Sequence, residues 1–122
     1  MRIPATENDF LMAIREAATV GGWACFHPWI SIRSTPGFPD LVLVHPQRGI
    51  AFVELKGPRG RLRLAQVNWL NLLKSAASLN NAVWVCLWGP GDLDDAIAWL
   101  VGQRSAPPGQ WEILRLGGML WR

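Results

Sequence analysis

Asp40, Glu54 and Lys56 stand at the outer ends of two short apolar runs, Leu41–Val44 and Ile50–Leu55. Both runs read as strands, because they are short, rich in β-branched residues and bounded by Pro or Gly. His45-Pro46-Gln47-Arg48-Gly49 is a hairpin-length connection between them. If Val44 and Ile50 close the turn, antiparallel pairing sets Asp40 opposite Glu54. Side chains alternate along a strand, so Glu54 and Lys56 share one face while Val53 and Leu55 take the other. Two carboxylates brought together in a partly buried place repel each other unless a cation intervenes. A hard divalent ion takes carboxylates, waters and phosphate oxygens, which points to phosphate chemistry. Lys56 is then placed to orient or activate an attacking water and to offset charge on the phosphate. The competing reading is a surface ion pair of Glu54 with Lys56, with Asp40 as a turn residue after Pro39.

The elements that must position these groups follow from periodicity and punctuation. Thr6 is an N-cap with Asp9 three residues on, and a helix runs to about Val20 on the stripe Phe10, Leu11, Ile14, Ala17, Ala18. Glu7 falls at the start of that stripe, an acid facing inward; it could equally favour the helix N-terminus through the dipole. Gly21-Gly22 ends the helix, and Trp23–Phe26 is a first strand that His27-Pro28 closes. His27 is expected to be a hydrogen-bonded histidine at a strand end. A polar segment, Trp29 to Pro36, contains Arg33 as a candidate phosphate contact. After Lys56, Gly57-Pro58-Arg59-Gly60-Arg61-Leu62-Arg63 forms a basic loop whose glycines give backbone freedom. Arg59, Arg61 and Arg63 suit a nucleic-acid backbone.

A second helix from about Leu64 to Leu79 carries Leu70, Leu73 and Ala77 inward, and Gln66 joins that stripe at the site end. Trp69 and Leu72 are expected in the core. Ala82–Trp88 is apolar throughout, as for a strand covered on both faces. Asp92, Asp94 and Asp95 suit the first turn of a third helix better than a second metal site. Leu93, Ile97, Leu100 and Val101 form its buried face. Ser105–Gly109 is a linker, and Trp111–Trp121 is a terminal hairpin turning at Gly117-Gly118. The order α, β, β, β, α, β, α, hairpin predicts an α/β domain: a mixed central sheet flanked by helices, with an extra C-terminal β-hairpin.

Pro39-Asp40 followed by Glu54-Leu55-Lys56 resembles the PD-(D/E)xK nuclease superfamily. The wider string Gly37-Phe38-Pro39-Asp40-Leu41, Glu54 to Leu62, Gln66 and Trp69-Leu70 is similar to its VRR-NUC branch, found in phage and bacterial proteins and in larger DNA repair nucleases. The resemblance spans about residues 5–102 of the chain. It implies a restriction-endonuclease-like core and a metal-dependent endodeoxyribonuclease. Asp40, Glu54 and the backbone carbonyl of Leu55 would hold Mg²⁺ or Mn²⁺, with Glu7 as a further ligand directly or through water. Lys56 would assist the water, and Gln66 would help position the site. Stand-alone relatives resemble structure-specific enzymes, including resolvases of four-way (Holliday) junctions, which implies branched double-stranded DNA as partner. Symmetric cutting of two strands requires a homodimer. The alternatives are a sequence-specific restriction-type nuclease and a non-catalytic DNA-binding or assembly module.

Composition sets the limits. A chain of 122 residues, half of them hydrophobic, suits one nuclease domain over residues 1–122, with 103–122 as linker and hairpin. No membrane-length apolar run or signal-peptide plan is present, so a cytoplasmic protein is expected. Cys25 and Cys86 are far apart and outside any zinc spacing, so core roles are expected. No organic cofactor is implied. A net charge of +3 fits nucleic acid as partner.

Overall fold

Among the described residues, four strands form one mixed sheet in the order β1-β2-β3-β4, where β1 is Ala24–Phe26, β2 Leu41–His45, β3 Gly49–Leu55 and β4 Val83–Trp88. The structure is a computed structural model and describes residues 6–28, 36–58 and 60–109. Arg33, Arg59 and the hairpin expected over Trp111–Trp121 lie outside the described residues.

β2 and β3 pair antiparallel with Val44 opposite Ile50 and Leu41 opposite Val53, the register that sets Asp40 level with Glu54. The strands run closer to the turn than expected, with His45 opposite Gly49, so only Pro46-Gln47-Arg48 bridges them. β1 pairs antiparallel with β2, and β4 pairs parallel with β3. That parallel pair needs a crossover, which the second helix supplies.

Among the described residues, three α-helices cover the sheet: α1 (Glu7–Val20), α2 (Leu64–Ala77) and α3 (Leu93–Leu100). Strand alternation sorts the core into two layers. Ala51, Val53, Leu55, Cys86 and Trp88 pack with Phe10, Ile14 and Ala18 of α1 and with Leu93, Ala96 and Trp99 of α3. On the opposite face, Val85 and Leu87 pack with Leu62, Val67 and Leu70. β4 is thus covered on both faces, which is why its sequence is apolar throughout. Tryptophans concentrate in the first layer: Trp99 stacks obliquely against Trp23, Trp84 and Trp88 at centroid distances of 5.1, 5.8 and 6.2 Å. Large rings meeting edge to face account for part of the unusual tryptophan content.

Thr6 caps α1 by accepting the Asp9 N–H at 3.0 Å. Three expectations need correction. Leu72 is 62% exposed, because α2 buries Val67 and Leu70 and turns position 72 outward. Asp92 lies at the N-cap position of α3 rather than in its first turn and makes no side-chain cap bond there; a short 3₁₀ turn, Pro90–Asp92, precedes the helix, and the Asp92 carboxylate accepts the Gly89 N–H at 2.9 Å. Cys86 is buried, its thiol pushed up to about 12 by burial, whereas Cys25 is only half-buried.

Candidate active site

The open end of the β2–β3 hairpin holds Asp40, Glu54 and Lys56. Four neighbouring residues fix how Asp40 arrives there. Gly37 has φ +91°, and an added Cβ would collide with the backbone of Ala65 in the first turn of α2, so only glycine passes. Phe38 then wedges between Trp69 of α2 and Phe52 of β3, at centroid distances of 5.1 and 6.2 Å. Pro39 is fully buried. His27, at the end of β1, donates from Nδ1 to the Asp40 carbonyl at 2.7 Å; a carbonyl only accepts, so the proton sits on Nδ1. Thus anchored, Asp40 accepts the Leu55 N–H through Oδ2 at 2.8 Å.

Glu54 and Lys56 are buried, at 1% and 7% exposure, on the face covered by α2. Gln66 ties them together. Its Nε2 donates to Glu54 Oε2 at 2.9 Å, while its Oε1 accepts from Lys56 Nζ at 3.0 Å and from the Arg63 N–H at 2.8 Å. Lys56 Nζ lies 3.6 Å from Glu54 Oε2. The amide is therefore satisfied at both ends and holds lysine and glutamate in one geometry.

The carboxylates are out of balance with this support. Burial, with the Asp40 charge beside it, pushes Glu54 up to about 8, although Lys56 pulls the other way. Burial also raises Asp40, and the Leu55 N–H offsets part of that rise. Glu54 Oε1 is buried without any hydrogen-bond partner, the one such side-chain atom among the described residues. An unpartnered buried carboxylate oxygen costs about 1–3 kcal/mol or more. A divalent cation fits what is missing, since the donors are hard oxygens and the repulsion between the acids is what a cation removes. Among the described residues no three Asp, Glu, His or Cys side chains form a closed cage. Two carboxylates without a cage match an ion that keeps several waters and shares a substrate phosphate.

Glu7 departs from the inward placement expected of it. The residue is exposed at the N-terminus of α1, where Gly57 lies against it, and its charge helps raise both Asp40 and Glu54. It stands at the rim of the site. Arg61 and Arg63 are exposed beside the buried Lys56.

Gly60 of the basic loop allows a close approach to Lys56. Gly60 folds back to donate its N–H to the Gly57 carbonyl at 3.0 Å, and a Cβ on Gly60 would stand 2.9 Å from Lys56 Cδ. The loop roofs the lysine stem, so absence of a side chain matters more there than flexibility.

A mixed sheet between helices, with an acid pair and a lysine at the end of its central hairpin, is the restriction-endonuclease-like α/β arrangement. Comparison agrees. The VRR-NUC domain family matches residues 29–87. A solved structure described as a VRR_NUC domain superposes with a TM-score of 0.58 at 23% identity, covering 76% of this chain and 96% of the other. No curated protein matches. Over residues 29–87 the chain is thus similar to the VRR-NUC domain family, a match that points to a nuclease of the PD-(D/E)xK type, and it shares the fold of the solved VRR_NUC domain. Among the described residues no helix is long and apolar enough to cross a membrane.

Proposed function

We propose that the chain is a Mg²⁺- or Mn²⁺-dependent endodeoxyribonuclease acting on branched DNA. The observation that carries this reading is the unpartnered, buried Oε1 of Glu54 beside Asp40, on the face where Gln66 fixes Lys56. Asp40, Glu54 and the Leu55 carbonyl are the groups that would hold the cation, with Glu7 at the rim reaching it through water. When bound, the ion supplies Lewis acidity toward the phosphate and offsets the charge that develops there.

The chain's own residues do the rest. Lys56, held by Gln66, orients the attacking water and stabilises negative charge on the phosphoryl oxygens. A bond forms from the water oxygen to phosphorus and the bond from phosphorus to the 3′ oxygen breaks. Water gives up a proton and the 3′ oxygen gains one, leaving 5′-phosphate and 3′-hydroxyl ends. Arg61 and Arg63, together with Arg59 and Arg33, engage the phosphate backbone, which positions DNA without reading sequence. Such contacts favour shape over base identity. Cutting opposed strands of a junction symmetrically needs two sites related by a two-fold axis, hence a homodimer.

The test is cleavage of linear, flapped and four-way DNA with Mg²⁺ or Mn²⁺ by the wild type, Asp40→Ala and Lys56→Ala. Cutting of branched substrates by the wild type alone supports the proposal. Equal cutting by all three proteins, or none on any substrate, rejects it.

A further inference from the structure

Side chains on the sheet face that carries Glu54 stand in cross-strand rows. The carboxylates of Asp40 and Glu54 form the row at the open end of the hairpin. The next row inward is Phe26, Val42 and Phe52, by the pairings of Phe26 with Val42 and Val42 with Phe52. Its inner end is filled, because Phe38 stacks on Phe52 and Trp69. Among the described residues, no element closes its outer end. α2 packs over Val85 and Leu87 of β4, and on β1 the Phe26 residue is 62% exposed. Rows two residues apart on one face lie about 7 Å from each other. That is a separation one nucleotide bridges between its phosphate and its base.

We infer that the exposed ring of Phe26 stacks on an unpaired nucleobase next to the scissile phosphate, and so gives the site its preference for DNA with bases splayed out of the duplex. This rests on the nuclease reading and adds a specificity residue to it. Every base offers a π face, so an aromatic platform accepts unpaired bases regardless of sequence, whereas bases inside a duplex are already stacked on each other. The side chains around the ring, Ala24, Val42 and Val44, carry no charge, so this part of the face holds no phosphate. A second copy of the chain is the rival occupant. A stable protein interface covers roughly 800 Å² per partner, and a patch of that size would spread over the carboxylate row about 7 Å away and close it. A single base needs only the ring.

The full chain is tested with a flapped DNA bearing 2-aminopurine in the unpaired strand beside the junction, in EDTA so that nothing is cut. Wild type and Phe26→Trp should change the fluorescence of the analogue on binding, and Phe26→Ala and Phe26→Leu should not. With Mn²⁺ added, flap cleavage by Phe26→Ala should fall between about five- and a hundredfold, the range of one lost base stack, with little change on plain duplex. A fluorescence change in Phe26→Ala as large as the wild type's, or no change in the wild type, overturns the inference. So does light scattering in which Phe26→Ala converts a dimer to a monomer, which assigns the face to a second copy. A wild type that cuts no substrate defeats the nuclease reading, while the fluorescence still decides the contact at Phe26.

Discussion

The two ends of one hairpin obey opposite rules. At the turn end, every polar group named is paired. Arg48 donates to the carbonyls of Trp99 and Leu100 at 2.6 and 3.1 Å, closing the C-terminus of α3, and its guanidinium lies 5.0 Å from the ring centroids of both Trp23 and Trp99. His45 uses both ring nitrogens: Nε2 donates to the Gly21 carbonyl at 3.1 Å and Nδ1 accepts the Gln47 N–H at 3.1 Å. Trp23 adds its indole N–H to Leu100 at 2.9 Å. At the open end, about five residues along the same strands, burial raises the proton affinity of both acids, the Asp40 charge raises that of Glu54 further, and a buried oxygen has no partner. A chain that can satisfy buried groups so fully at one end, and does not at the other, holds that deficit where a ligand is to bind.

Substitution should separate the two ends. The largest effect is expected for Asp40→Ala, which should lower cleavage by about a thousandfold or more. Its thermal midpoint in EDTA should stay level or rise, since one of the two repelling carboxylates is gone; a collapse of the fold would erase the contrast.

Glu54 predicts a pH dependence of the metal-free protein. Its folded pKa, about 8, lies above the usual 4.5, so the folded state binds the proton more tightly than the unfolded chain. The stability tied to that proton is complete below the unfolded value and is lost as pH rises through the folded one. Chemical denaturation in EDTA should therefore lose about 2 kcal/mol between pH 5 and pH 8, a figure discounted from the full shift for relaxation around the site. Glu54→Gln should flatten the profile, and Mn²⁺ should restore wild-type stability most at the alkaline end.

Arg48→Ala should cost about 2 kcal/mol of stability, from two charge-assisted bonds to helix carbonyls and two ring contacts. Cleavage per folded molecule at low temperature should hardly change. The smallest effect is expected at Gly60→Ala. A methyl pressed on the Lys56 stem should lower kcat by about tenfold, with DNA affinity kept, because a small displacement of a positioned group is enough.

What could be read beforehand follows from the range of the interactions. The register of β2 with β3, and with it the meeting of Asp40 and Glu54, was legible because alternation and a short turn fix pairing locally. The inward amide of Gln66 was legible from helical spacing for the same reason. Four features were not. The His27 bond to the Asp40 carbonyl depends on β1 pairing with β2 across a long connection. The roof of Gly60 over Lys56 is a through-space contact that no periodicity encodes. Glu7 obeys the helical stripe but is the first residue of α1, beside Gly57, so a position counted as inward is exposed. Arg48 would have been taken for an ordinary turn residue, since its partners come from the far end of the described chain.

The central claim is that Asp40 and Glu54 together form a cation site. Calorimetric titration of Mn²⁺ into the metal-free protein at pH 7.5, with Asp40→Ala and Glu54→Gln alongside, tests it most directly. Saturable binding by the wild type, lost in both variants while their folds persist, is the predicted result. Equal heats from all three proteins, or no binding by the wild type, would contradict it.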